Sequence, residues 1–140
     1  MRVIALDVGD RRIGVAMSDP TGLLASPLST ITRKGHGTDV DEVVDLAAQN
    51  DVAEILVGMP LSLSGRKGAQ AARVTAFADE LRSRTDLPVV FVDERYSTVQ
   101  AERSLRELGV QPSRDRARVD AAAAAVILQS YLDSKRPPTA

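Results

Sequence analysis

The chain has 140 residues, 18 Lys and Arg against 19 Asp and Glu, a net charge of −1 and no cysteine. That length suits a single domain with a real core, and the lack of cysteine excludes disulfides and thiolate metal sites. Near-neutral bulk charge does not announce a nucleic-acid binder, so any phosphate-binding role must rest on local Arg clusters.

Two Phe, two Tyr and no Trp leave the core to aliphatic side chains and Ala. No run approaches about 18 apolar residues, and the first residues read as a strand rather than a signal segment. The expectation is a soluble, cytoplasmic protein with no membrane partner.

The first element is Val3-Ile4-Ala5-Leu6-Asp7-Val8-Gly9. An apolar run with so little alternation reads as a strand buried on both faces. Arg12 to Ser18 reads as a second strand, joined to the first by the tight Gly9-Asp10 connection of a hairpin. Asp19-Pro20-Thr21-Gly22 is a turn signal, and a third strand falls between Leu23 and Thr32. His36, the only histidine, falls in a glycine loop and reads as solvent-exposed rather than catalytic.

Thr38 and Asp39 can cap a helix whose apolar positions are Val40, Val43, Val44 and Ala47. Ala53 to Val57 is a fourth strand, and Gly58 to Gly68 a polar-glycine loop. A second helix covers Ala69 to Ser83, with Ala72, Phe77 and Leu81 facing inward. Val89 to Val92 is a fifth strand. Ser97 with Gln100 forms a capping-box pattern opening a helix that stops at Gly109. A charged loop follows from Pro112 to Arg118, then a last helix from Val119 to Asp133. The order βββαβαβαα calls for an α/β fold with right-handed crossovers: a mixed five-stranded sheet with helices on both faces. Residues 1–134 form one domain, and 135–140 a frayed tail.

Three acids stand out by position. Asp7 interrupts a buried-type strand, where an ionised carboxylate is costly unless something positive sits against it. It reads either as a ligand for a hard divalent ion or as a strand-end residue capping the next turn. Glu94 follows the fifth strand, with Asp93 as its rival. Functional groups gather at such strand ends in open sheets, and parallel first and fifth strands would bring both acids to one edge. Asp120 opens the last helix, sharing a face with Ala124, Ile127 and Tyr131; a first-turn acid also gains from the helix dipole with no further role. Converging on one point, the three would suit one or two Mg²⁺ or Mn²⁺ ions acting on a phosphodiester.

Basic residues adjoin each acidic motif. Arg11 and Arg12 follow Asp7, Arg66 and Lys67 sit in the glycine loop, Arg95 follows Glu94, and Arg114, Arg116 and Arg118 precede Asp120. A phosphate backbone would require that arrangement, although solvated Arg residues paired with nearby acids would look the same in sequence.

Asp7-Val8-Gly9 with Arg12-Ile13-Gly14-Val15-Ala16, Gly58-Met59-Pro60, Asp93-Glu94-Arg95 with Thr98, and Val119-Asp120-Ala121-Ala122-Ala123 with Ile127-Leu128-Gln129 resemble, in order and over nearly the whole chain, the YqgF/RuvX family. The resemblance implies an RNase H-like fold and a metal-dependent nuclease, either a pre-16S rRNA processing enzyme or one like a Holliday junction resolvase. It also implies Asp7, Glu94 and Asp120 as catalytic and metal-binding acids with Mg²⁺ or Mn²⁺. The fourth strand ends in Gly58-Met59-Pro60 without an acid, unlike resolvases of the wider superfamily, so the middle carboxylate must come from the fifth. Arg12, Arg66, Lys67 and Arg95 would grip phosphates of structured RNA or branched DNA, with ribosome precursors as partners; junction cleavage would need a homodimer.

Two other classes compete. An Asp-x-Gly hairpin also resembles the phosphate loop of the actin and sugar-kinase superfold, which needs a second related domain that 140 residues do not supply. A non-catalytic nucleic-acid or ribosome-binding module would keep the fold without turnover.

Overall fold

The structure, a computed structural model, describes residues 1–35, 37–60, 68–93 and 116–135, with 103, 106, 107 and 109 between them. His36, Arg66, Lys67, Glu94 and Arg95, with their expected roles, most of the helix expected from Ser97, of which Arg103, Arg106 and Glu107 are helical, and the tail after Lys135 lie outside the described residues.

Five strands form one sheet: β1 Arg2–Val8, β2 Arg12–Ser18, β3 Ala25–Thr32, β4 Val52–Met59 and β5 Val89–Asp93. Their spatial order is β3-β2-β1-β4-β5. The first three strands pair antiparallel, while β1, β4 and β5 run parallel. The parallel strands therefore end at one edge, as the sequence order requires. Helices α1 Thr38–Gln49 and α2 Ala69–Arg82 connect the later strands, and α3 Arg116–Lys135 closes the fold.

Strand alternation sorts the sheet into two cores. Ile4, Leu6, Val8, Ile13, Val15, Ile55 and Val57 pack against Val40 and Val43 of α1 and Val74, Phe77 and Leu81 of α2. On the other face Val3, Ala5, Ala16 and Leu56 meet Ala124, Leu128 and Leu132 of α3. Helices thus cover both faces.

Several boundaries differ from the sequence expectation. β4 runs on through Gly58 and Met59, because these pair with Val92 and Asp93 of β5. α3 begins at Arg116 rather than Val119: Arg is a good helix former, and a charged run is no evidence against a helix. Ala72 is exposed; the inward stripe of α2 is Ala71, Val74, Phe77, Ala78 and Leu81, at spacings of three and four. Asp39 does not cap α1, whose N-cap is the left-handed Gly37 with no side-chain bond. Its buried carboxylate turns back to accept from the Lys34 amide at 2.8 Å and from Arg33 Nε at 3.1 Å.

β3 is an edge strand. Its pairing with β2 passes from Val15–Ser29 to Ala16–Pro27, so Leu28 is bulged out between them.

Candidate active site

Asp7 is the last residue of β1 but one, and its register partner on β2 is Gly14. Directly opposed residues of an antiparallel pair share a face. Val3 and Ala5 precede Asp7 at intervals of two and belong to the α3 core, so half-buried Asp7 lies on the α3 face. Arg12, Gly14 and Ala16 lie on that face of β2 by the same alternation.

Gly14 is where α3 meets the sheet. A Cβ there would stand 2.0 Å from the Asp120 carbonyl oxygen and 2.9 Å from the Ala121 nitrogen. Only a residue without a side chain admits the helix backbone so close. Hydrogen bonds to β3 hold the helix along its length: Thr30 Oγ1 donates to the Ala117 carbonyl at 2.7 Å, and Gln129 Oε1 accepts from the Ala25 amide at 2.9 Å. Ala124 and Ile127 are buried and Tyr131 half-buried, so the face read from their spacing with Asp120 is the sheet-facing one.

Asp120 is the fifth residue of α3, not part of its first turn. The helix dipole, which acts within the first turn, therefore gives it less reason to be acidic than the sequence reading allowed. Its Oδ2 accepts from Arg12 Nε at 2.7 Å, the two side chains being 25% and 35% exposed. Arg12, read as a phosphate contact, is thus found on a carboxylate.

The turn after Asp7 is held from the opposite side. Gly9 N–H donates to the Arg12 carbonyl, Arg33 Nη1 donates to the Gly9 carbonyl at 3.1 Å, and Gln70 Nε2 donates to the Val8 carbonyl at 3.2 Å. Arg33 also lies over the Phe77 ring at 5.3 Å and pairs with Asp39. Burial works to raise the Asp39 pKa, but the bonds from the Lys34 amide, Arg33 and the Gly35 amide outweigh it and hold the pKa below the ordinary value. Sequence reasoning missed this brace. Its one signal was an Asp at the start of α1, and that reads equally as a cap.

Asp93 ends β5, and like Val89 and Phe91 it falls on the α1–α2 face by alternation, while Val90 and Val92 face α3. It does not share the face of Asp7. Among the described residues no three His, Cys, Asp or Glu side chains form a metal-holding group. Among the described residues, two carboxylates, Asp7 and Asp120, lie on the α3 face by the end of β1, beside glycine at position 14, while Glu54 of the same face lies toward the other end of the sheet, bonded to Tyr131. All-oxygen donors of this kind fit a hard divalent ion and do not fit soft-ligand metals. Among the described residues no helix is long and apolar enough to cross a membrane.

The architecture is the RNase H-like fold of the resolvases. It superposes with a TM-score of 0.58 on Fowlpox virus resolvase in complex with substrate Holliday junction DNA, 10% identical, over 96% of this chain and 98% of that one. It also superposes with a TM-score of 0.58 on T. thermophilus RuvC in complex with a Holliday junction substrate, 16% identical, over 96% and 95% of the two chains. At such identities the likeness is one of fold. A family model described as "RuvX: Holliday junction resolvase" matches residues 1–134, and the chain belongs to the RuvX family. Similar relatives include a protein of Roseiflexus sp. (strain RS-1), 50% identical over 135 residues and 96% of both chains. Another, from Caldanaerobacter subterraneus subsp. tengcongensis, is 44% identical over 138 residues, 97% of this chain and 99% of that one. Both bear the name "Putative pre-16S rRNA nuclease".

Proposed function

We propose that this chain is a divalent-metal-dependent endonuclease that hydrolyses phosphodiester bonds, acting in the cytoplasm on the precursor of 16S rRNA. The observation that carries the reading is the placement of Asp7 and Asp120 on one face of the sheet, in a chain of the RuvX family. Asp7 and Asp120 hold Mg²⁺ or Mn²⁺, and Glu94 completes the oxygen set. The opposite-face position of Asp93 supports Glu94 in that role. When bound, such an ion supplies Lewis-acid activation of water and neutralises charge at the phosphodiester. The protein's part is to hold the two carboxylates rigidly, through the close packing at Gly14 and the braced turn after Asp7. Arg66, Lys67 and Arg95 take phosphates flanking the scissile bond, contacts that set register rather than read sequence.

The test compares Mg²⁺- and Mn²⁺-dependent cleavage of precursor 16S rRNA and of a four-way DNA junction by the wild type, Asp7→Asn and Asp120→Asn. Metal assistance amounts to several kcal/mol, so each variant should lose about 100-fold or more in rate. Undiminished cleavage by Asp7→Asn overturns the assignment. The description of the family model favours the junction as second substrate. Faster junction cleavage by a species with the solution mass of a dimer would move the reading there. Binding of both substrates with metal-dependent cleavage of neither would leave a non-catalytic module.

A further inference from the structure

Arg12 and Asp120 form a contact that a metal-binding carboxylate cannot keep unchanged. We propose that Arg12 is a stand-in cation: its guanidinium neutralises Asp120 in the metal-free protein, yields Asp120 when the divalent ion enters, and is thereby released to take a substrate phosphate. The proposal rests on the metal-dependent reading of the same site.

Four observations support it. The contact joins one nitrogen to one oxygen, Nε to Oδ2, rather than forming the two-bond fork of a permanent Arg–carboxylate pair. Both side chains are partly exposed, so water screens the pair and it is easily exchanged. The Asp120 backbone is fixed against Gly14, so the exchange needs a turn of two side chains and no movement of α3. Arg12 shares the α3 face with Asp7 and stands at the mouth of the β1–β2 hairpin, beside any phosphate brought to that carboxylate.

A divalent cation that takes the Asp120 carboxylate displaces the guanidinium from it. Metal and nucleic acid should then assist each other's binding, and the coupling must be equal in both directions. Without metal, Arg12 is engaged and contributes little to binding the phosphate backbone. With metal it is free to contribute.

The experiment measures binding alone. Mn²⁺ is titrated into the wild type, Arg12→Met, Arg12→Lys and Asp7→Asn without nucleic acid, and thermal melts confirm that each is folded. Arg12→Met should bind Mn²⁺ about two- to fivefold more tightly than wild type, the range expected for removing a competing part-exposed pair. Arg12→Lys should fall between. In a second arm, affinity for a fluorescently labelled structured RNA is measured in EDTA. Arg12→Met should change it little in the wild-type background but weaken it severalfold in an Asp120→Asn background, where Arg12 is already released. Equal Mn²⁺ affinity for Arg12→Met and wild type, with Asp7→Asn still impaired, overturns the exchange and leaves the metal reading standing. So does an equal RNA effect of Arg12→Met in the two backgrounds. A wild type that binds no Mn²⁺ overturns both.

Discussion

The two faces of the sheet are built differently. The α1–α2 face carries Ile4, Leu6, Ile13, Val15, Ile55 and Val57 beneath Phe77 and Leu81, so bulky side chains fill the space between layers. The α3 face carries Ala5, Gly14 and Ala16 beneath Ala121 and Ala124, so backbone approaches backbone. Asp7 and Asp120 are both on the second face. One side of the sheet secures the fold by buried volume; the other brings the α3 backbone against a strand at Gly14 and carries carboxylates from distant parts of the chain on one face.

If that division is real, damage to the two faces should separate stability from function. Leu81→Ala removes a fully buried side chain on the α1–α2 face. It should cost about 2–5 kcal/mol in chemical denaturation, while Mn²⁺ affinity per folded molecule stays at the wild-type value. Gly14→Ala sets a methyl against the Asp120 carbonyl, a backbone atom that cannot turn aside, so it should cost about 3 kcal/mol or more and, unlike Leu81→Ala, weaken Mn²⁺ binding per folded molecule. A Leu81→Ala protein with impaired metal binding, or a Gly14→Ala protein with normal binding, would break the comparison.

The smallest effect belongs to the brace of the β1–β2 turn on the α1–α2 side. Asp39→Asn should cost about 1–2 kcal/mol at pH 7 through weakened buried hydrogen bonds. The Asp39 pKa is lowered from the ordinary 3.8, so the native state favours the ionised form. Its stabilisation is complete above that value and is lost as pH falls through the lower, folded-state pKa. The gap between wild type and Asp39→Asn should therefore narrow on acidification below pH 3.8, read by denaturation at a series of pH values.

Most of the fold is legible in the sequence because its strands are long apolar runs bounded by turn residues. Asp19 shows how strong that punctuation is. The Thr21 hydroxyl, with the Leu24 and Leu23 amides, holds its pKa down to about 2, and its carboxylate shapes the turn read from Asp-Pro-Thr-Gly. What sequence misjudged was set by tertiary pairing. Gly58 and Met59 look like loop until β5 lies beside them, and Arg116 to Arg118 look like loop until α3 is docked. In the site, the positions of Asp7 and Asp120 were readable one by one. Their common face depends on the β1–β2 register and on Gly14, whose lack of a side chain marks a close approach without saying what approaches. The Arg12–Asp120 pair spans 108 positions, and no local pattern announces it.

The edge strand bears on assembly. At Pro27 the backbone has no N–H to offer, and at Leu28 the ladder skips a residue. A second sheet cannot zip onto β3 without losing register there. Growth of the sheet outward from β3 is thus discouraged by the strand itself, a safeguard against edge-to-edge aggregation. Should two copies act together on a branched substrate, their contact must be made by some other surface.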